Sequence, residues 1–352
     1  MGVRPFLAPR RRRERARGPV RAAWRRRGAF FIGVLSTLAA GCAKKSAGAP
    51  SPVAGSPSGG VASLAAKAPR AVASGTVADA STEPSCNAPR CATFDDAKAA
   101  FARVLGEDPV VLAIGEAHAL RGSERVESST RRFTRDLLPM LSGKASDLVV
   151  ELLLPNPACA PATKRAEKAE RVVTEHQART DQNEYVALGN AALTLGIRPH
   201  ALEPTCADLR RIAGGGDDAV TVSLDVVTRL ARESLERYAA ANRTAHDARM
   251  VVGYGGAMHN DLVPRAGFER FTFGPVLSRG TAGRYVELDL IVPEFIDKTA
   301  SWQALPWFAE FAPAEHPERA TLFMPSAHSY ALIFQRSPAL TATPRGADAG
   351  QP

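Results

Sequence analysis

The chain has 352 residues, 45% of them apolar, which is enough to bury the core of one large domain or two ordinary ones. Its formal net charge of +9 invites a nucleic-acid partner, but eleven arginines and one glutamate within residues 1–27 account for +10, and the rest of the chain sums to −1. A basic nucleic-acid surface is thereby excluded from the bulk of the protein.

In chain order, the arginine-rich start leads into "GAFFIGVLSTLAAGC", residues 28–42, a short apolar stretch that reads as a secretory signal. It is too short to span a bilayer comfortably as a permanent helix. "LAAGC" resembles the bacterial lipobox, which implies a signal peptide over residues 1–41 and a lipid on Cys42, anchoring the chain in a bacterial cell envelope on the periplasmic side or at the cell surface. Residues 1–19 are long for the leading part of a signal, which points to a translation start near Val20. Residues 42–85 are rich in Ala, Ser, Gly and Pro and cannot bury enough apolar surface to order themselves. As a flexible tether they hold the domain ~35 Å from its anchor. Residues 337–352 form a similar tail, leaving 86–336 as one folded domain without repeats. Once Cys42 is set aside, Cys86, Cys91, Cys159 and Cys206 suggest two disulfides in an exported chain, with three pairings open.

Within the domain, short β-rich runs alternate with longer helical ones, which predicts an α/β fold with a mainly parallel central sheet flanked by helices. "TFDDAKAAFARVLG" predicts a helix capped at Thr93 and Asp96 and stopped at Gly106. A strand at 109–114, a helix near 123–142 and the strand "DLVVELLL" follow. Residues 161–196 read as one or two helices, "IRPHALEP" as a third strand, 219–243 as a helix and "ARMVVGYGG" as a fourth strand. Residues 283–293 and 329–336 read as later strands of undetermined direction.

Ligands of open α/β sheets bind beyond the carboxyl ends of the parallel strands. The first strand ends in Glu116 and His118, the second carries Glu151, the third ends in Glu203, and the fourth runs into "GGAMHND" with His259. Four consecutive strands thus bring carboxylates and imidazoles to one edge. Such groups can hold a divalent metal such as Zn or Mn, which makes hydroxide available near neutral pH. Without metal, a histidine held by a glutamate can act as a general base on water. Either route ends in hydrolysis. Against this stand plainer readings: a helix-start carboxylate for Glu116, a turn before Pro204 for Glu203, caps or turns for Asn260 and Asp261, and packing for Tyr254 and Met258. His200 reads as structural, His176, His246 and His316 as solvated, and His328 as an additional candidate. Glu151, between "VV" and "LLL", is costly in a core unless it has partners.

"VLAIGEAHAL", "DLVVELLL" and "MVVGYGGAMHNDLVP", in that order and separated by helices, resemble the superfamily of erythromycin esterases, Tiki-type metalloproteases and ChaN-type haem-binding lipoproteins, over roughly residues 92–293. By that resemblance Glu116, His118, Glu151 and His259 match motif positions, and Glu203 of "ALEP" is similar to an acidic position of Tiki-like members. The resemblance implies one of three functions. One is hydrolysis, either by histidine acting on water or by a divalent metal held by Glu116, His118, Glu151 and His259. The others are haem capture by an envelope lipoprotein and a catalytically inactive interaction scaffold. A fold shared by such members does not select among them. The expected partners are a membrane, through the lipid, and a small molecule, haem or peptide; no nucleic acid is expected.

Overall fold

A computed structural model describes residues 90–337 except 120, 124, 175–180, 298 and 312–317. The expected signal peptide, Cys42, the tether, Cys86, all of the tail beyond Ser337, His176 and His316 lie outside the described residues. Among the described residues no helix is long and apolar enough to cross a membrane.

The first element is a short strand, β1 (Cys91–Phe94), followed by helix α1 (Ala97–Leu105). Asp96 caps the helix, its carboxylate accepting the Ala99 N–H at 2.8 Å. Thr93, expected at the cap, instead lies in β1 opposite Thr321 of β7 (Ala320–Ser326). A four-residue edge strand has too short a period to show in the sequence, so the helical pattern absorbed it.

Strand β2 (Val111–Glu116) is buried along its whole length and includes Glu116, two residues beyond the expected end. The expected helix near 123–142 is shorter and irregular. It starts at α2 (Ser129–Arg132), widens through a π turn over Phe133–Leu137 and tightens into a 3-10 turn over Leu138–Leu141. Pro139, which has no N–H to give, sits at the start of that last turn.

Then come β3 (Ala145–Leu153), α3 (Ala160–Thr174), α4 (Asp181–Thr194), β4 (Arg198–Leu202), α5 (Cys206–Gly214) and α6 (Ala219–Ala245). The chain continues through β5 (Met250–Gly256), α7 (Gly274–Gly280), β6 (Tyr285–Ile291), α8 (Ala300–Gln303), β7 and β8 (Ser329–Ile333). Helix α5 and strand β7 were not expected from the sequence.

The eight strands form one sheet in the order β1-β7-β8-β6-β2-β5-β3-β4. From β8 to β4 every pairing is parallel, which settles the direction of the two later strands; β7 runs antiparallel to β8 and β1. Alternate residues feed two cores. Leu112, Ile114, Leu148, Val150, Val252 and Tyr254 pack with α1, α4 and residues 129–141, while Val111, Ala113, Val149 and Val251 pack with α5, α6 and α7. Because both faces are covered, the central strands read as continuous apolar runs rather than alternating ones. Strand β5 returns to lie between β2 and β3, so the carboxyl ends that bear the expected site residues are direct neighbours.

A disulfide joins Cys159, after β3, to Cys206, at the start of α5. Cys91 is disulfide-bonded as well. Cross-linking residues 47 apart in sequence removes unfolded-state entropy, so Cys159→Ser with Cys206→Ser is expected to cost about 4 kcal/mol in urea denaturation. Equal stability of the wild type under oxidising and reducing conditions would contradict this.

Candidate functional site

Glu116 closes β2 with its side chain on the α4 face of the sheet. Its Oε1 accepts from the Tyr185 hydroxyl at 2.7 Å and from His118 Nδ1 at 3.0 Å; its Oε2 accepts from Thr130 at 2.5 Å and from Tyr254 at 3.1 Å. Four donors around one carboxylate leave it an acceptor only, which places a His118 proton on Nδ1; Nε2 is buried. Burial, and after it the charge of Glu116, pushes the Tyr185 and Tyr254 phenols well above their ordinary pKa, so both remain donors. Tyr254, expected to pack rather than to touch a haem, thus hydrogen-bonds the carboxylate that orients His118.

Glu151 lies on the other face, because Val150 and Leu152 take the α4 side of β3. Its Oε2 accepts the Gly256 N–H at 2.7 Å. A Cβ at Gly255 would come within 2.7 Å of the Glu151 Cβ, so the glycine pair before His259 makes room for this carboxylate. That buried acid therefore has the partner its position demands.

His259 is 3% exposed. Its Nδ1 lies 2.8 Å from the Phe271 carbonyl and 2.9 Å from the Thr228 hydroxyl, which itself reaches the Leu224 carbonyl at 2.8 Å. With Nδ1–H on the Phe271 carbonyl, Nε2 faces Glu151 Oε1 at 3.6 Å. Both of these atoms are buried without a hydrogen-bond partner, and both residues line a cavity of about 20 Å³, room for one water. Burial disfavours a charged ring, but the Glu151 carboxylate and then the Phe271 carbonyl outweigh it, and the His259 pKa is raised.

The two Glu–His pairs meet across the end of β5. A Cβ at Gly256 would lie 3.1 Å from His118 Nε2 and 3.7 Å from Glu151 Oε2. Four of the five expected site residues are therefore brought together. Glu203 is not: Leu202 turns inward from β4, and the next side chain along the strand is exposed. His200 holds Asp147 at 2.7 Å and stacks on Tyr238, a structural role as expected. His246 and His328 occupy left-handed positions, at the end of α6 and in the β7–β8 turn, and His328 bonds Glu107.

The donor set tests the implied cofactors. Both Glu116 oxygens are engaged by four donors, so Glu116 does not fit as a metal ligand; Glu151 Oε1 and His259 Nε2 are buried and make no hydrogen bond. Among the described residues, the group of three acids or histidines whose ligand atoms all lie within 4.8 Å of one another is Asp261, Glu287 and Asp289.

Those three acids were missed in the sequence, where Asp261 reads as a turn residue and Glu287 and Asp289 as strand residues. They line a separate pocket of about 150 Å³ with Arg265 and Trp307. Burial and mutual repulsion raise Asp261 to about 8 and push Glu287 well up; burial raises Asp289 to about 7. An acid raised on folding keeps a proton that the unfolded chain has lost, so stability is greatest below the unfolded pKa near 4 and declines as pH climbs towards 8. In chelator, the melting temperature is expected to fall between pH 5 and pH 8. The slope should flatten in Asp261→Asn with Asp289→Asn, and an unchanged slope would rule this out.

Together these features define an α/β protein with a mainly parallel, doubly covered sheet and a buried Glu–His site at its carboxyl edge. Comparison of the chain with protein-family models, curated proteins and solved structures finds no match.

Proposed function

We propose that this chain is a metal-independent hydrolase, tethered to the cell envelope through Cys42, in which His118 is the general base and His259 the general acid. The observation that carries the reading is the meeting of two histidines, each backed by a buried glutamate, across Gly256. Hydrolysis is one of the three functions that the motif resemblance noted in the sequence implies.

The chemistry follows from the proton positions. Glu116 keeps the His118 proton on Nδ1, so Nε2 takes a proton from water as the water oxygen bonds to the electrophilic carbon of an acyl substrate. Glu151 favours the charged form of His259, whose Nε2 proton goes to the leaving oxygen or nitrogen as its bond to that carbon breaks.

The test is a panel of chromogenic esters, lactones and amides with the purified protein. Turnover that survives EDTA and disappears in both His118→Ala and His259→Ala is expected. Absence of turnover across the panel, together with a hemin Soret shift lost in the same variants, would replace the reading with haem capture. Activity restored only by added Zn or Mn would also overturn it.

A further inference from the structure

We propose that the cleft between the start of α1, the segment leading into α2 and the segment after β8 binds a small organic anion, one that carries a carboxylate or phosphate group on an apolar body. The cleft encloses about 980 Å³, at the upper end of the range for small-molecule sites. It lies at the carboxyl edge of the sheet, where Glu294 follows β6 and Phe334 to Ser337 follow β8. Five cations and four acids line it, and each of the acids is already engaged. Asp96 caps α1, Glu127 and Asp136 both pair with Arg135, and Glu294 accepts the Ser337 N–H. Among the described residues, by contrast, Lys98, Arg125 and Arg336 are exposed and make no ion pair or hydrogen bond. Three free cations around one concave surface raise the local concentration of anions.

The second, independent observation is Arg132, which lines the same cleft and is only 6% exposed. Its Nε donates to the Glu127 carbonyl at 3.1 Å, its Nη1 to the Gln335 carbonyl at 2.6 Å and its Nη2 to the Ser337 hydroxyl at 2.7 Å. A guanidinium has five N–H donors, so Nη1 and Nη2 each keep one. The carboxylate paired with it, that of Glu294, stands 3.7 Å away, beyond hydrogen-bond reach. Burial lowers the Arg132 pKa, and the charges of Glu294 and Glu127 do not offset it. A buried cation held by neutral oxygens and a distant acid is costly unless an anion meets it. The guanidinium also lies 5.4 Å from the centre of the Phe334 ring, so a forked donor and an apolar surface stand side by side. That combination suits a carboxylate or phosphate attached to an apolar group.

This site does not depend on the hydrolase reading, and the test separates them. Phenyl phosphate, phenylacetate and uncharged phenylacetamide are each titrated into the purified full chain by calorimetry at low salt. One anion per chain is expected, with binding that weakens as sodium chloride is raised and no binding of phenylacetamide. The tighter of the two anions tells a phosphate ligand from a carboxylate. Affinity should fall at least tenfold in Arg125→Gln with Arg336→Gln, both exposed positions outside the core. It should be unchanged in His118→Ala and in Arg279→Gln, which removes a charge from α7 on the other face of the sheet. Circular dichroism establishes that each variant is folded. No binding of either anion at millimolar concentration, equal binding of phenylacetamide, binding that persists in the double variant, or an equal loss in His118→Ala or Arg279→Gln would each overturn the proposal.

Discussion

Replacing His118 with alanine is expected to lower kcat by about 10²–10⁴-fold, the usual contribution of a positioned general base. Glu116→Gln should cost less. Its amide still accepts through one oxygen, but it presents an NH₂ where Oε1 or Oε2 now accepts, so the His118 tautomer is no longer dictated. The pair of variants distinguishes a base from its orienting residue. On the proposed mechanism His118→Ala removes the reacting atom, whereas Glu116→Gln is expected to move the pH–rate profile while leaving part of kcat. Turnover unchanged in His118→Ala, with the melting temperature also unchanged, would exclude a chemical role for this histidine.

The second large effect concerns folding. Gly115→Ala places a methyl carbon 2.5 Å from the Ala257 Cα and Asp289 Oδ1 and 2.6 Å from Asn260 Oδ1. Ala257 is backbone, held by its N–H on the Glu116 carbonyl at 3.2 Å, and cannot rotate aside. Overpacking of this kind costs about 1–3 kcal/mol in ordinary cores, and here more than about 3 kcal/mol is expected because the clash is with main chain. Gly253→Ala serves as the contrast: its methyl would meet the Leu235 Cδ1 at 3.2 Å, a side chain that can shift, so a cost of about 1 kcal/mol is expected. Equal losses in the two variants, measured by urea denaturation, would refute the packing argument.

Both results depend on an arrangement that was only partly readable beforehand. The apolar runs of β2, β3 and β5 are long and unbroken, and their ends carry Glu116, His118, Glu151 and His259, so the edge at which these residues gather could be read directly. Tyr185, Thr130 and Tyr254 gave no signal of their own. They sit on α4, α2 and β5, far apart in the chain, and an ordinary tyrosine or threonine on an apolar face looks like packing. The pairing of Cys159 with Cys206, one of three open choices, was decided by the adjacency of β3 and β4.

What the sequence by itself determined is the alternation of strands and helices, hence the fold class, and the presence of acids and imidazoles at strand ends. Local periodicity encodes these, and they need no knowledge of which strand lies beside which. Strand order and facing were decided only by the tertiary structure. The insertion of β5 between β2 and β3 makes two Glu–His pairs meet over Gly256. The pairing of β6 with β2 brings Glu287 and Asp289 alongside Asp261. The outward step after Leu202 leaves Glu203 alone at the surface. Contacts between residues more than a hundred positions apart depend on how the whole core packs, and no short window of sequence contains that information.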